Sequence, residues 1–464
     1  MLYNQSTICA VSTAPGTGGI AVIRVSGKDA FAICDKIYKS SSGTIEEQQA
    51  YTISVGKVYK EEEMLDEVLV SVFRAPHSFT GEDTVEIACH GSVFIQQEIL
   101  KLLIDAGCEP ARPGEFTLRA FLNGKMDLSQ AEAVADLISS SSAASHRLAM
   151  SQMRGGFSKE LQHLRGQLLD FVSLIELELD FGEEDVEFAD RTKLIELIDT
   201  IKQSISQLTR SFKLGNVIKN GIPVVIVGET NAGKSTLLNY LLNEEKAIVS
   251  EIHGTTRDFI EDVVNIDGIL FRFIDTAGLR DTGDEIENMG IERTFQKIDQ
   301  AAIVIWMIDT TQFNEKIEKI ADQIVPRTTD KKLIIIFNKI DKISEEEQAI
   351  LDEEFLPEVP ADRLYLSAKY KKNTQQLEKA LMRAAEIPQM EESDVIITNL
   401  RHYEALTKSL ESINRVEEGL RQNLSGDFIS QDIREVLHHI GEITGEIGVE
   451  DVLGNVFRNF CIGK

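Results

Sequence analysis

The residues whose chemistry is clearest lie between Gly228 and Thr236, where the spacing is G-x-x-x-x-G-K-[ST]. A β-branched run precedes them and an apolar helical segment follows, which is the strand–loop–helix setting of a phosphate-binding loop. The glycines let backbone N–H groups turn towards phosphate oxygens, and the helix N-terminus adds a partial positive charge. Lys234 can reach the outer phosphates, and Ser235 can offer its hydroxyl to Mg²⁺. This stretch therefore predicts a site for a nucleoside triphosphate.

Two later segments could contact the γ-phosphate and its metal ion. The first has the sequence G-T-T-R-D, in which either Thr255 or Thr256 offers a hydroxyl. The second has the sequence D-T-A-G, in which Asp275 would hold Mg²⁺ through water and the Gly278 N–H would meet the γ-phosphate.

Two further segments could recognise the base. The sequence N-K-I-D ends at Asp341, whose carboxylate can accept hydrogen bonds from the guanine N1–H and 2-amino group. Adenine lacks both donors at that edge and would leave the carboxylate without a partner. Backbone N–H groups of Ser367–Lys369 can donate to guanine O6. Five segments in this order predict a GTPase domain.

Two features depart from a signalling GTPase. Leu279 stands where a glutamine often orients the attacking water, so a carboxylate from the acidic segment 279–290 could take that role. Asn231 lies inside the phosphate loop, and its side-chain carbonyl could coordinate a monovalent cation together with backbone carbonyls of residues 250–253. Asparagine is also a common turn former, and that alternative stays open.

The elements that position these residues follow from periodicity. β-like and helical runs alternate from Ile222 to about Pro388, with a hairpin turn at Asp267-Gly268 and a buried strand at Leu333–Phe337. This alternation predicts an α/β domain.

Long helices are predicted on both sides of the α/β region, because apolar residues recur every three or four positions. Helical sequence ends near Gly215, and Ser129 is expected to cap the start of the helical region. The simplest interpretation is a nucleotide domain inserted between two halves of one helical domain, and two separate bundles are the alternative. The apolar stripes are Phe157–Leu179, Leu194–Phe212 and Leu406–Leu420.

The N-terminal part, from Thr7 to about Glu109, predicts a small α+β domain. Short β-like runs include Ile20–Val25 and Glu67–Phe73, and a helix is predicted from Val93 to a stop at Gly107.

The composition of the chain limits the classes of protein to which it can belong. A chain of 464 residues suffices for two to four domains, and its net charge of −28 argues against extended, nonspecific binding to nucleic acid or anionic membrane. The N-terminus has no signal-peptide pattern, and the longest apolar run, 301–308, is too short to span a bilayer. Five cysteines without a C-x-x-C pair fit a reducing compartment, so a cytoplasmic protein is expected.

Over essentially its whole length, the chain resembles the MnmE (TrmE) family of tRNA-modifying GTPases. Its domains are expected at 1–119 (α+β, folate-binding-like), 120–216 and 389–464 (helical), and 217–388 (P-loop GTPase). Besides the GTPase segments, the residues that carry the resemblance are Pro15–Ile20, Ser78–Asp83, Arg112–Phe116, Phe121–Leu128, Asp180-Phe181 and Cys461–Lys464.

The resemblance implies roles for particular residues. Folate contacts match Arg24, Glu86, Lys125 and Lys464, which by themselves would be interpreted as surface or strand-edge charges. Mg²⁺ ligands match Ser235 and Thr256, and K⁺ ligands match Asn231, Ser250, Ile252 and Thr255. The glutamate that acts on the water matches Glu287, and Cys461 is either a reactive thiol or a structural one. The expected GTP contacts are Asn231, Ala232, Gly233, Lys234, Ser235, Thr236, Ser250, Thr255, Thr256, Asp275, Thr276, Ala277, Gly278, Asn338, Lys339, Asp341, Ser367, Ala368 and Lys369.

Small departures from the family pattern are Glu229-Thr230 in the loop, where Arg-Pro is commoner, and Ser250, where threonine is frequent. Ser250 and Ile252 would act through backbone carbonyls, so these changes leave the expected K⁺ site intact.

The resemblance also implies an activity and partners. The family is a homodimeric, K⁺-stimulated GTPase that binds a 5-formyl- or methylene-tetrahydrofolate derivative. With the FAD-dependent protein MnmG (GidA), it adds an aminomethyl or carboxymethylaminomethyl group at C5 of the wobble uridine of certain tRNAs. GTP hydrolysis would drive a conformational change in that complex. A ribosome-assembly GTPase switch, and a folate-dependent transferase with a regulatory GTPase domain, are the alternatives.

Overall fold

The computed structural model describes residues 6–41, 43–180, 191–243, 262–274, 295–312, 315–386, 395–447, 453, 456–457 and 460–463. The chain divides into two compact units. The first unit comprises residues 1–138, 150–205 and 404–464, and the second comprises residues 139–149 and 206–403.

Thirteen strands are found in the described residues. They are β1 (Ile8–Val11), β2 (Ile20–Ser26), β3 (Tyr38–Lys39), β4 (Thr52–Lys60), β5 (Glu63–Phe73), β6 (Thr84–His90), β7 (Glu109–Pro110), β8 (Ile222–Val227), β9 (Asp262–Ile266), β10 (Ile269–Phe273), β11 (Ile303–Asp309), β12 (Lys332–Asn338) and β13 (Asp362–Leu366).

Thirteen α-helices are found in the same described ranges. They are α1 (Ala30–Ile37), α2 (Val93–Ala106), α3 (Glu115–Leu122), α4 (Leu128–Ser139), α5 (Ala143–Met153), α6 (Gly156–Asp180), α7 (Arg191–Asn220), α8 (Lys234–Asn243), α9 (Glu315–Ile324), α10 (Glu345–Glu354), α11 (Gln375–Ala385), α12 (Leu400–Arg421) and α13 (Gly426–Thr444).

The first unit contains a seven-stranded sheet in the order β3-β4-β5-β6-β2-β1-β7. Its strands alternate apolar and polar side chains, and the apolar face packs with residues of α1 and α2 into one core. Helix α2 ends at Gly107, which has φ 122°. The predicted α+β character and the predicted helix stop are both confirmed.

The helical part of the first unit is built from the predicted apolar stripes. Phe157, Leu161, Leu164 and Leu168 of α6 are buried. Helix α6 packs along α13, and Lys202 of α7 pairs with Glu417 of α12 at 2.6 Å. These contacts favour one helical bundle over two separate ones.

The start of α4 corrects the sequence prediction. Helix α4 begins at Leu128, so Ser129 lies inside the first turn rather than at the cap. Asp127 takes the capping role, because its Oδ1 accepts the N–H of Gln130 at 2.9 Å. The Ser129 hydroxyl instead donates to Asp127 Oδ1 at 2.8 Å.

The second unit contains a six-stranded sheet in the order β13-β12-β11-β8-β10-β9. All pairings are parallel except the β9–β10 hairpin, which turns at Asp267-Gly268 as predicted. Every residue of β11 is buried, as expected for a central strand with both faces covered. The predicted α/β class is confirmed, while the predicted domain limits stay predictions.

Helix α7 corrects another sequence prediction. It continues past Gly215 to Asn220. A Cβ atom at Gly215 would lie 1.9 Å from the backbone oxygen of Ile397. The glycine therefore permits close packing of two backbones and does not mark a helix stop.

Candidate functional site

The phosphate loop connects β8 to α8, and its two flanking glycines are required by close contacts. Gly228 has φ 147°, and a Cβ there would lie 2.2 Å from the carbonyl oxygen of Met307. Gly233 has φ 105°, and a Cβ there would lie 2.2 Å from Nδ2 of Asn338. Both positions therefore exclude any side chain, as the sequence pattern predicts.

Lys234 lies over this loop. Its Nζ donates to the carbonyl oxygens of Gly228 and Glu229, at 2.7 Å each. Burial lowers the pKa of Lys234, and the nearby Glu229 carboxylate acts in the opposite direction. The phosphate groups of a nucleotide would favour the charged form of this side chain further.

Asn231 occupies the left-handed backbone region, with φ 63°. Asparagine tolerates this conformation better than most residues, so the loop geometry by itself accounts for its presence. Its side chain is exposed and has no hydrogen-bond partner in the described part of the chain. The carboxamide is thus positioned to accept a ligand, and its role as a cation ligand stays a prediction.

Asn338 joins the phosphate loop to the segment predicted to bind the base. Its Nδ2 donates to the backbone oxygen of Ala232 at 2.7 Å, and its Oδ1 accepts the N–H of Ala368 at 3.0 Å. The Thr310 hydroxyl donates to the Asn338 backbone oxygen at 2.9 Å. Because Asn338 is buried, its carboxamide fixes the spacing between the two binding segments.

Asp341 is placed to receive a base. The Ser367 hydroxyl donates to its Oδ1 at 2.5 Å, which orients the carboxylate. Its Oδ2 makes no hydrogen bond within the described ranges, and the side chain is exposed. One carboxylate oxygen is therefore held by the protein, and the other is open to a donor edge such as that of guanine.

Asp309 was missed by sequence reasoning. This buried carboxylate at the end of β11 forms an ion pair with Lys339, which has φ 68°. Burial alone would raise the pKa of Asp309, but hydrogen bonds from Lys339 and Thr311 outweigh it, so the pKa lies below its usual range. The available signal was an acidic residue that ends an otherwise apolar strand beside the strand ending at Asn338.

Other predicted residues at this site are not tested by the structure. Ser250, Ile252, Thr255, Thr256, Asp275, Thr276, Ala277, Gly278, Glu287 and also Lys464 of the C-terminus lie outside the described residues.

In the N-terminal sheet, Arg24 and Glu86 lie directly opposite each other on β2 and β6. Arg24 Nη2 and Nε lie 2.8 and 2.9 Å from Glu86 Oε1. The Arg24 guanidinium also lies 5.2 Å from the ring centre of Phe79 and 5.6 Å from that of Phe116. The structure therefore brings together two residues that are predicted to contact folate. It places beside them aromatic rings from two of the segments that carry the resemblance to the family.

Lys125 lies beside the loop that contains Phe79. Its Nζ donates to the Pro76 carbonyl oxygen at 2.9 Å, and Asn123 Nδ2 donates to the Thr80 oxygen at 2.7 Å. These bonds attach the segment around Lys125 to that loop.

The C-terminal segment lies against the strand that neighbours β2. The Ser12 hydroxyl donates to the Gly463 oxygen at 3.0 Å, and a Cβ on Gly463 would lie 2.1 Å from the Val11 oxygen. Cys461 is exposed, and its carbonyl oxygen accepts the Gly114 N–H at 3.4 Å. This packing places the segment that precedes Lys464 beside β1.

Comparison with known proteins agrees with this geometry. A family model described as "MnmE helical domain" matches residues 128–461, and one described as "GTP-binding protein TrmE N-terminus" matches residues 7–125. The chain is 59% identical to a tRNA modification GTPase MnmE of Bacteroides thetaiotaomicron, over 99% of this chain and 100% of that protein. The chain belongs to the MnmE (TrmE) family of tRNA modification GTPases. The hydrolase class predicted from the sequence is thereby confirmed at the level of the family.

A second member of the family is similar over nearly the whole chain. The chain is 54% identical to the tRNA modification GTPase MnmE of Christiangramia forsetii, over 99% of each chain. A solved structure of Aquifex aeolicus Era bound to GDP and AlF₄⁻ is 29% identical over 41% of this chain and 66% of that chain, with a TM-score of 0.29. That TM-score is too low to support a structural argument.

Arg119 is a second residue that sequence reasoning left out of this MnmE-family chain. It is fully buried and pairs with Glu82 at 3.1 Å and with Glu115 at 3.0 Å. The Ser26 hydroxyl also donates to Glu82, at 2.8 Å. All three charged residues lie in or next to the segments that carry the resemblance to the family, which was the available signal in the sequence. Their pairing holds those segments together.

Among the helices that the structure describes, none combines the length and apolar character needed to cross a membrane.

Proposed function

We propose that this MnmE-family chain is a K⁺-stimulated GTPase that acts with an FAD-dependent partner, MnmG, in modifying C5 of the wobble uridine of tRNA. The product would be an aminomethyl or carboxymethylaminomethyl group, with GTP hydrolysis driving a conformational change in the complex. The observation that carries the proposal is the placement of Asn338 and Asp341, which suits a guanine base, in a chain whose family is that of tRNA modification GTPases.

Guanine selection is attributed to the open Oδ2 of Asp341. Asp341→Asn would replace one acceptor with a donor, which suits the 2-oxo group of xanthine rather than the 2-amino group of guanine. We expect the variant to lose GTP turnover and to gain turnover of xanthosine triphosphate. Retention of the parent preference for GTP would contradict the assignment.

Metal binding is attributed to Ser235 and Thr256 for Mg²⁺ and to Asn231, Ser250, Ile252 and Thr255 for K⁺. The two ions would supply positive charge against the charge that develops on the phosphates. The exposed carboxamide of Asn231 supports the K⁺ assignment. Asn231→Gly is the sharpest variant, because glycine keeps the left-handed backbone and removes only the carboxamide.

The experiment compares GTP turnover in K⁺ and in Na⁺ at equal ionic strength. We expect the parent to be faster in K⁺, and Asn231→Gly to lose that difference while it keeps GDP binding. Equal rates of the parent in the two salts would refute K⁺ stimulation. Glu287→Ala should lose turnover and keep nucleotide binding, because Glu287 is proposed to act on the water.

Tetrahydrofolate binding is proposed for the site around Arg24 and Glu86. Both Arg24 contacts go to Oε1 of Glu86, while Oε2 has no partner in the part of the chain that the structure describes. A pterin ring has the same amino-pyrimidinone edge as guanine, so this carboxylate oxygen can accept its donors. Lys125 and Lys464 are proposed as further contacts, and the exposed Cys461 lies in the same C-terminal segment. Glu86→Gln should weaken binding of 5-formyltetrahydrofolate without changing GDP affinity.

A homodimer is proposed through the N-terminal sheet. The face of β4 and β5 opposite α1 and α2 exposes Ile53, Val55 and Leu69, with 69%, 57% and 45% of their surface accessible. Val55 and Leu69 are direct cross-strand neighbours, so the exposed apolar residues are contiguous. Val55→Glu should yield monomers in light scattering. A dimer of unchanged affinity would place the interface elsewhere.

The cellular role is tested by nucleoside analysis of tRNA from a deletion strain. Loss of the C5 modification at the wobble uridine, restored by the parent gene and not by Glu287→Ala, is the expected result. Normal tRNA together with ribosomal-subunit defects would favour a ribosome-assembly switch instead. The proposed site of action is the cytoplasm.

A further inference from the structure

Helix α13 carries two adjacent histidines and a glutamate whose ligand atoms converge. Nε2 of His438 lies 3.5 Å from Oε1 of Glu442, and Nδ1 of His439 lies 3.1 Å from Oε2 of the same carboxylate. The ligand atoms of all three residues lie within 4.8 Å of one another. Glu442 follows His439 by three positions and His438 by four, so one carboxylate faces both rings across a helical turn.

These separations match a tetrahedral metal site. With metal–ligand bonds of about 2.0–2.1 Å, two ligands of Zn²⁺ lie about 3.3–3.4 Å apart. The observed nitrogen–oxygen separations of 3.1 and 3.5 Å, each to a different oxygen of the Glu442 carboxylate, lie close to that value. Imidazole and carboxylate ligands together suit a divalent ion such as Zn²⁺ better than Mg²⁺, which prefers oxygen ligands alone.

The surroundings of His439 add a second feature of metal sites. Its other ring nitrogen, Nε2, lies 4.0 Å from Oε1 of Glu435, and Glu435 forms an ion pair with Arg415 of helix α12. In many metal sites the nitrogen that does not bind the metal faces a carboxylate, which orients the ring. His439 is also partly buried, with 15% of its side chain exposed.

We propose that His438, His439 and Glu442 form a binding site for Zn²⁺, with water as the remaining ligand. The site lies in the first unit of the chain, and it does not depend on the proposed function. A bound ion would cross-link one turn of α13 and hold it against fraying. The competing explanation is two ordinary histidine–glutamate pairs on a helix, which need no metal and contribute little.

The test is a titration of the full-length protein with Zn²⁺ by calorimetry, in the presence of saturating Mg²⁺ and GDP. We expect one Zn²⁺ to bind per chain at this site. His438→Gln and His439→Gln should each weaken Zn²⁺ binding by about tenfold or more. The matched control is His163→Gln, which removes an exposed histidine of α6 that is not one of the three clustered residues. It should bind Zn²⁺ like the parent.

Two further measurements keep the result decisive. Cys461→Ser removes the exposed thiol and should also bind like the parent. The near-ultraviolet spectrum of the Co²⁺ form should lack thiolate charge-transfer bands. Circular dichroism without metal should show that the histidine variants remain folded. The proposal is overturned if the parent binds no Zn²⁺, if the histidine variants bind as tightly as the parent, or if Cys461→Ser abolishes binding.

Discussion

The nucleotide site and the N-terminal Arg24–Glu86 site are both built from polar residues beside a sheet, but they are assembled differently. Asn338 is the last residue of β12, and the phosphate loop directly follows β8, so both lie at the carboxyl edge of one parallel sheet. Arg24 and Glu86 are 62 positions apart and meet because β2 and β6 pair in a register that places them opposite each other.

The difference teaches how far sequence spacing can be trusted. In the nucleotide site each predicted binding residue lies a short distance along the chain from a strand end, so local spacing places it. In the N-terminal site a shift of strand register by one residue would turn Arg24 to the other face and separate the pair. Each region also contains a residue that links separate protein segments: Asn338 in the first, and Arg119 in the second.

The largest effect is expected for Arg119→Met in the N-terminal region. Removal of this buried cation leaves the carboxylates of Glu82 and Glu115 without their shared ion-pair partner. Such a loss lowers the free energy of unfolding by about 3–5 kcal/mol. The measurement is denaturant unfolding. The matched control is Arg415→Met, because Arg415 also pairs with two carboxylates, Asp432 and Glu435, but is exposed. The control should cost no more than about 1 kcal/mol, and equal losses would refute the role of burial.

In the nucleotide region, Gly233→Ala should weaken GDP binding about a hundredfold, or about 2.7 kcal/mol. The added Cβ would force Asn338 to give up its hydrogen bonds to the phosphate loop and to Ala368. Gly268→Ala is the control, because Gly268 also has a positive φ, of 85°, while the nearest atom to its Cβ is 4.0 Å away. If calorimetry gives both variants the GDP affinity of the parent, the structure relieves this clash at little cost in free energy.

Asn338→Ala tests the bridge between the two binding segments. It leaves the Ala232 oxygen and the Ala368 N–H without their partner, at a cost of about 1–3 kcal/mol in unfolding free energy. Nucleotide affinity should fall as well, because the spacing of the segments is no longer fixed. Asn373→Gly is the control, since its amide makes an exposed bond to the Tyr365 oxygen and glycine tolerates its φ of 63°. A larger loss in the control would contradict this assignment.

A double-mutant cycle of Arg24→Gln and Glu86→Gln measures the cross-strand pair in the N-terminal region. The coupling energy should be about 0.2–1 kcal/mol, because the pair is partly exposed. In both single variants, the free energy of folate binding should fall by more than the free energy of unfolding. If stability falls strongly while folate affinity is unchanged, the pair is a structural one.

The smallest effect is a change with pH at Asp309. Its pKa is lowered in the folded state, so the stability that it contributes is present above about pH 3.9, the value for an unfolded aspartate, and is lost as the pH falls through the lowered pKa. In Asp309→Asn, the free energy of unfolding should therefore fall less steeply as the pH is lowered through the acid range. Parallel acid limbs for the parent and Asp309→Asn would contradict the linkage.

Most of the nucleotide site could be predicted from sequence, because its residues follow strands that have strong apolar signals. Asp309 escaped because a single acidic residue at a strand end has no distinctive spacing. The helix boundaries near Gly215 and Ser129 were placed wrongly, since local preference suggested a stop and a cap. Tertiary packing against Ile397 and the side chain of Asp127 decided otherwise.

The sequence by itself determined the fold classes, the phosphate loop, the carboxylate proposed to bind guanine and the family, because each depends on residue types at fixed local spacing. Only the tertiary structure decided that Asn338 braces two segments, that Arg24 and Glu86 form a pair, and that Arg119 is buried between two glutamates. These contacts join residues far apart in the chain, and their geometry depends on strand register and burial, which local sequence does not encode.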